Sequence, residues 1–143
     1  MKRVSVVMTV YRPQPELFRI ALRSILEQRF DDFELIIVED PSDVSAESVI
    51  REVCDSRIRY IANTSRTSLV KQKNIGIAES TSPLIAMMDC DDECHCDRLR
   101  LQVEAFEQNP DLSVLGSNIE IVDEFSNVIG ARDYPSDHEG IAR

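Results

Sequence analysis

Glycine is scarce in this sequence: Gly76, Gly116, Gly130 and Gly140 are the only four in 143 residues. They form neither a Gly-x-Gly-x-x-Gly turn nor a P-loop, so no dinucleotide fingerprint cradles a phosphate with backbone amides. Basic charge is also short, with 16 Lys and Arg against 26 Asp and Glu and a net charge of −10. A polyanion is repelled by such a field, and no basic stretch offsets it, so nucleic acid is not the expected partner. A small anionic ligand remains compatible where a metal or a local Lys or Arg neutralises it. No apolar run approaches the length of a transmembrane helix. The opening run from Val4 is stopped by Tyr11-Arg12-Pro13, too early for a secretory signal, and reads as a strand. A cytoplasmic location is therefore expected, with peripheral membrane association possible only through regions outside this sequence.

Cysteine is confined to Cys54, Cys90, Cys94 and Cys96, the last two flanking His95. A structural zinc site usually shows two separated ligand pairs, and a Cys-His-Cys triplet is too tight for all three to share one tetrahedral ion. Reduced, unpaired thiols are the expectation.

The rest of the sequence alternates. Val4–Val10, Phe33–Val38, Ile58–Ala62 and Leu84–Met88 are short apolar runs that read as strands. Between them, 15–28, 45–54 and 67–80 carry helical spacing, and 97–109 is amphipathic up to the stop at Asn109-Pro110-Asp111. In the first helix the expected core face is Leu17, Ile20, Ala21, Ser24, Ile25 and Gln28. In the third it is Leu69, Val70, Ile75 and Ala78. Two further strands, 112–122 and 128–131, are joined by a turn at Phe125-Ser126-Asn127. Strict alternation predicts an α/β fold, a mainly parallel sheet flanked by helices on both faces, within one domain over 1–143.

The run Leu84-Ile85-Ala86-Met87-Met88 ends in Asp89-Cys90-Asp91-Asp92. Three carboxylates this close repel one another unless something positive sits among them. Oxygen ligands suit Mg²⁺ or Mn²⁺ with a phosphate-bearing ligand, whereas the plain alternative is a solvated acidic turn. Ligands of parallel sheets bind outside the carboxyl ends of the strands. Thr9-Val10-Tyr11 and Glu39-Asp40 end two other strands on the same expected rim, which favours a site over a turn.

Five segments in order resemble the nucleotide-sugar-binding half of GT-A-fold glycosyltransferases of family two. They are Val4 to Tyr11, Ser24 to Asp40, Lys73-Asn74-Ile75-Gly76-Ile77, the Asp-x-Asp segment Asp89-Cys90-Asp91-Asp92, and Asp97-Arg98-Leu99-x-x-Gln102. The resemblance implies that Thr9, Val10 and Tyr11 line the nucleobase pocket, with Asp40 bonding the base. It implies further that Lys73 and Cys90 lie at the nucleotide, that Asp89 lies near the ribose and the ion, and that Asp91 binds an Mn²⁺ or Mg²⁺ bridging the donor phosphates. Asp92 is expected to be structural. The donor would be a UDP-, GDP- or dTDP-linked sugar, transferred with inversion to a glycan or lipid-linked acceptor in surface polysaccharide synthesis. Arg12, Pro41, Ser68 and Cys96 depart from the family pattern, and Lys73 stands where Arg is usual, losing the planar fork.

No residue matches the family's catalytic base. Asp123 and Glu124 follow the fifth strand without matching it, and 134–139 resembles the connector into the acceptor-binding half, so the chain is expected to stop short of that half. Two other classes stay open: a nucleotidyltransferase-like enzyme, which would normally carry a Gly-rich basic loop after the first strand, and a domain that only binds nucleotide.

Overall fold

The computed structural model describes residues 2–123 and 125–135. The elements are β1 (Val4–Val10), α1 (Pro15–Leu26), β2 (Phe33–Glu39), α2 (Glu47–Val53), β3 (Ile58–Ala62), α3 (Leu69–Glu79), β4 (Leu84–Asp89), α4 (Arg98–Gln108), β5 (Ile119–Val122) and β6 (Val128–Arg132). The chain divides into two compact units, one up to Glu104 and one from Ala105 onward.

The first unit holds a parallel four-stranded sheet in the order β3-β2-β1-β4. Two successive crossovers carry the chain from β1 to β3, and the third returns it to the far side of β1. The direction of winding thus reverses between β1 and β4, and at such a switch point open parallel sheets have their ligand crevice, at the carboxyl ends of the strands. Register aligns Thr9 with Asp89 across that boundary.

The strands alternate between two covered faces. Val4, Val6, Met8 and Val10 share the main core with Phe33, Leu35 and Ile37, with Phe18, Ala21, Leu22 and Ile25 of α1, with Val49 and Ile50 of α2, and with Leu99 and Val103 of α4. On the opposite face α3 lies so close to β1 that a Cβ on Gly76 would sit 2.3 Å from Val7 Cγ1. Helices on both faces of a mainly parallel sheet are as expected.

Three local expectations are corrected. The buried stripe of α1 is Phe18, Ala21, Leu22 and Ile25, while Ile20 is exposed, so the helix is rotated from the expected face. On α3 the buried positions are Gln72 and Gly76, and Leu69 and Val70 are exposed, because the close approach to β1 admits only a small residue. β4 is an edge strand in the described sheet, with Ile85 exposed and only Met88 buried, rather than a fully buried one.

The second unit contains the antiparallel pair β5–β6, with a bulge between Ile121 and Val122. Only Ile119–Val122 of the expected strand 112–122 is paired, since β6 offers five residues as a partner. Asn118 closes the open end by donating to Asp133 (2.8 Å) and accepting from the Tyr134 N–H.

Candidate functional site

Two strand ends frame the crevice. β1 runs without interruption as a buried strand to Val10, and Tyr11 follows half-buried. β4 delivers Asp89, after which the chain turns through Cys90 and Asp91. Thr9 is buried and shares the α3 face with Asp89, its register partner. Lys73, on α3, places its ammonium 4.0 Å from Asp89 Oδ1. The structure therefore brings Thr9, Val10, Tyr11, Lys73, Asp89, Cys90 and Asp91 to one rim.

The loop after β4 is fastened from below. Gln28, buried past the end of α1, accepts the Leu99 N–H (3.0 Å) and donates to the His95 carbonyl (2.7 Å). It thereby satisfies one of the amides left open at the start of α4. Arg98 reaches back to the Met87 carbonyl (2.9 Å) and the Met88 sulfur (3.3 Å), which sets a guanidinium beneath the acidic turn. Neither role is visible from spacing, although Gln28 and Arg98 both lie in segments quoted above. A buried Gln and an Arg next to apolar positions were the available signals.

The carboxylates differ in what occupies them. Asp91 is exposed and accepts no hydrogen bond from the described residues. Partial burial raises the Asp92 pKa, Asp89 and Asp91 raise it further, and Arg98 opposes them. Burial and the same two aspartates push the Cys90 thiol up to about 11, so it is protonated and carries no negative charge. The Cys90 side chain is partly buried against the main core.

Asp40 and Glu39 are engaged elsewhere. Asp40 is 2% exposed. Its carboxylate accepts Asn63 Nδ2 (2.7 Å), the Thr67 N–H (2.5 Å) and Thr67 Oγ1 (3.1 Å). Burial alone would raise its pKa, but these bonds outweigh it and the group titrates below its ordinary value. Asp40 thus pins the loop between β3 and α3 in this structure. Glu39 lies on the other face, where it accepts the Ala46 N–H (2.9 Å), Ser45 Oγ (3.1 Å) and Tyr60 OH (2.5 Å). It anchors the start of α2, and its place on the expected acidic rim is corrected accordingly.

The cysteine cluster does not act as one set. Cys94 Sγ meets Gln28 Nε2 (3.4 Å) and Ser24. His95, Cys96 and Asp97 instead bring one ligand atom each within 4.8 Å of one another. That trio is not set up for a cation, because Asp97 already pairs with Arg29 (3.1 Å) and Arg100 (3.0 Å). In the second unit Asp123 holds its own turn, accepting the Phe125 and Asn127 N–H groups, both at 2.9 Å. Glu124 and 136–139 lie outside the described residues.

Carboxylate oxygens such as those of Asp89 and Asp91 are the ligand type a hard divalent cation takes, and among the described residues the one ammonium paired to them, Lys73, is at 4.0 Å. By donor chemistry, these residues suit Mg²⁺ or Mn²⁺ rather than a soft metal.

Comparison with known proteins identifies the family and the fold. The model of the family described as glycosyl transferase family 2 matches residues 5–140. An uncharacterized glycosyltransferase of Methanocaldococcus jannaschii, MJ1057, is 33% identical over 129 residues, covering 88% of this chain and 44% of that protein. The crystal structure of S. aureus TarS in complex with UDP-GlcNAc superposes with a TM-score of 0.71 at 16% identity, covering 76% of this chain and 32% of that one. A mannosyltransferase from Pyrobaculum calidifontis in complex with GDP-Man and Mn²⁺ gives 0.67 at 21% identity, covering 73% and 32%. These likenesses place the fold in the GT-A class. The chain spans less than half the length of the curated relatives it matches.

Proposed function

We propose a function from the premise that this chain belongs to glycosyl transferase family 2: it supplies the donor half of a sugar-transfer site. It binds a nucleoside-diphosphate sugar, UDP-, GDP- or dTDP-linked, with Mn²⁺ or Mg²⁺. The sugar passes with inversion to a hydroxyl of a glycan or lipid-linked acceptor, in surface polysaccharide synthesis. The observation that carries this reading is the crevice between β1 and β4, with Tyr11 on one lip and Asp89 and Asp91 on the other. The UDP-GlcNAc and GDP-Man complexes of its structural neighbours support the same ligand class.

Tyr11 offers a flat aromatic face to a nucleobase, with Thr9 behind it on the α3 face and Val10 anchoring the end of β1 in the core. Cys90 contributes a neutral thiol side chain and its backbone at the turn. Asp89 faces the ribose and shares the ion with Asp91. Lys73 offers positive charge to the diphosphate, and Asp40 acts through the loop it pins. A bound divalent cation offsets the charge of the diphosphate and stabilises it as a leaving group. Inverting transfer also needs a base for the acceptor hydroxyl. Asp123 is committed to its turn, and none of the described residues is assigned that role. Four unpaired thiols suit the reducing cytoplasm, where we place the chain. No helix of the described residues is long and apolar enough to cross a membrane.

Calorimetric titration with UDP, GDP and dTDP, with and without Mn²⁺, tests the reading. One of them should bind in the metal-dependent mode, and Asp91→Ala should weaken that binding by at least about tenfold, the effect of losing a charged ligand. Failure of all three nucleotides to bind the unmodified chain would overturn it.

A further inference from the structure

Two guanidinium groups lie on one tyrosine at the crevice. Arg66 Cζ is 4.4 Å from the Tyr11 ring centroid, and Arg12 Cζ is 5.6 Å away. They are held differently. Arg12 is tied by its Nε to Asp43 Oδ1 at 3.1 Å and sits on a left-handed backbone, with φ at 51°. Arg66 is exposed, and among the described residues no carboxylate pairs with it. That is unusual in a chain with 26 acids and 16 bases. Its backbone is nonetheless fixed, because Asn63 and Thr67, on either side, are both bonded to the buried Asp40.

The pinned loop therefore presents a loose cation at a set place, resting on the ring that would receive a nucleobase. An exposed cation–π contact is weak, so a stacking ligand can displace it. The displaced guanidinium then stands beside the ligand with its planar donor fork open, and phosphate oxygens fit that fork better than any neutral group. We propose that Arg66 is a specificity residue. It covers Tyr11 in the free protein, yields the ring to a base, and takes up the phosphates of the same ligand. A nucleoside without phosphate has to displace Arg66 and gives it nothing in return. The chain thereby selects nucleoside diphosphates over nucleosides. This inference rests on the reading of Tyr11 as the base-stacking residue.

The test measures binding of UDP against uridine, and GDP against guanosine, in Mn²⁺, for the unmodified chain, Arg66→Ala and Arg66→Lys. In Arg66→Ala the preference for diphosphate over nucleoside should fall about tenfold, with the nucleoside bound equally or more tightly. Arg66→Lys, which keeps the charge and loses the fork, should fall between the two. Lys71→Ala, removing another exposed cation at the start of α3, should leave the preference within about twofold, which separates a specific contact from general charge. An Arg66→Ala chain that keeps the original preference overturns the proposal while leaving the donor site intact. An unmodified chain that binds none of these ligands overturns the donor reading itself, and this inference with it. An unchanged melting temperature in Arg66→Ala confirms that the comparison is made on folded protein.

Discussion

Replacing Gly76 by alanine sets two effects against each other, and the structure decides which prevails. Within an exposed helix the substitution is favourable by about 1 kcal/mol, because glycine loses more backbone freedom on folding. On α3, however, the added Cβ would lie 2.3 Å from Val7 Cγ1. Carbon atoms at rest sit about 3.5–4.0 Å apart, so a gap of more than about 1 Å has to open. Val7 has little room to retreat: it is fully buried in β1, and β2 and β4 bond to that strand on either side. Its branched side chain also has few alternative rotamers. Overpacking of this kind costs about 1–3 kcal/mol or more, so after the helix gain of about 1 kcal/mol the net expectation is a loss of up to about 2 kcal/mol. Urea unfolding should show a lower midpoint at unchanged slope. Val7→Ala alone is destabilising, because it leaves a cavity. In the double variant the new methyl group occupies that space, so the two effects should compensate by about 1 kcal/mol or more. A single Gly76→Ala variant that is more stable than the original would refute the close packing of α3 on β1. That packing has a functional consequence, because Lys73 lies one turn earlier on the same helix and its 4.0 Å approach to Asp89 depends on where α3 sits.

Two titrations probe the groups that hold the rim in place. Asp40 has a folded pKa below its ordinary 3.8, so its contribution is present above that value and is lost as pH falls through the lowered one. Asp40→Asn should cost about 2–3 kcal/mol at neutral pH, and denaturation below about pH 4 should show the gap to the unmodified chain closing; a constant gap would contradict the assignment. Burial, and then the hydrogen bond to Glu39, push Tyr60 up to about 12. The raised value means its share of stability is intact up to its ordinary pKa and is lost as pH climbs towards 12. An ultraviolet absorbance titration should show this late phenolate transition, and Tyr60→Phe should remove it.

The order of elements was legible because each strand is a short apolar run and each helix has a stop. Val4–Val10 and Ile58–Ala62 fall where the pattern puts them. Which face each helix buries was less legible. Leu17 and Ile20 are as apolar as Phe18 and Leu22, and a one-residue rotation separates the two choices. On α3 the apolar residues mislead outright, since Leu69 and Val70 are exposed while Gln72 is buried and donates to the Val10 carbonyl at 3.1 Å. A close backbone approach demands small size and a satisfied polar group rather than hydrophobicity, and only the glycine hinted at it. The edge position of β4 is likewise a matter of strand order, which composition does not encode.

The site follows the same division. Strand-end residues are adjacent in sequence to the runs that carry them, so the placement of Thr9, Tyr11, Asp89 and Asp91 at the ends of β1 and β4 was readable. What surrounds them comes from elsewhere in the chain: Lys73 meets Asp89 across an α3–β4 contact, and Arg66 meets Tyr11 across a loop. The charge balance depends on those partners. Against Asp89, Asp91 and Asp92 stand Lys73, at 4.0 Å, and Arg98, whose guanidinium is already bonded to the Met87 carbonyl and the Met88 sulfur. The raised Asp92 pKa follows from burial and from the two other acids, with Arg98 opposing but not cancelling them. All three acids are exposed to solvent, and Asp89 is held in the β4 ladder opposite Thr9, on the face that α3 covers. The proposed cation site therefore rests on Asp91, exposed and without a hydrogen-bond donor among the described residues, whose charge is open to an added cation.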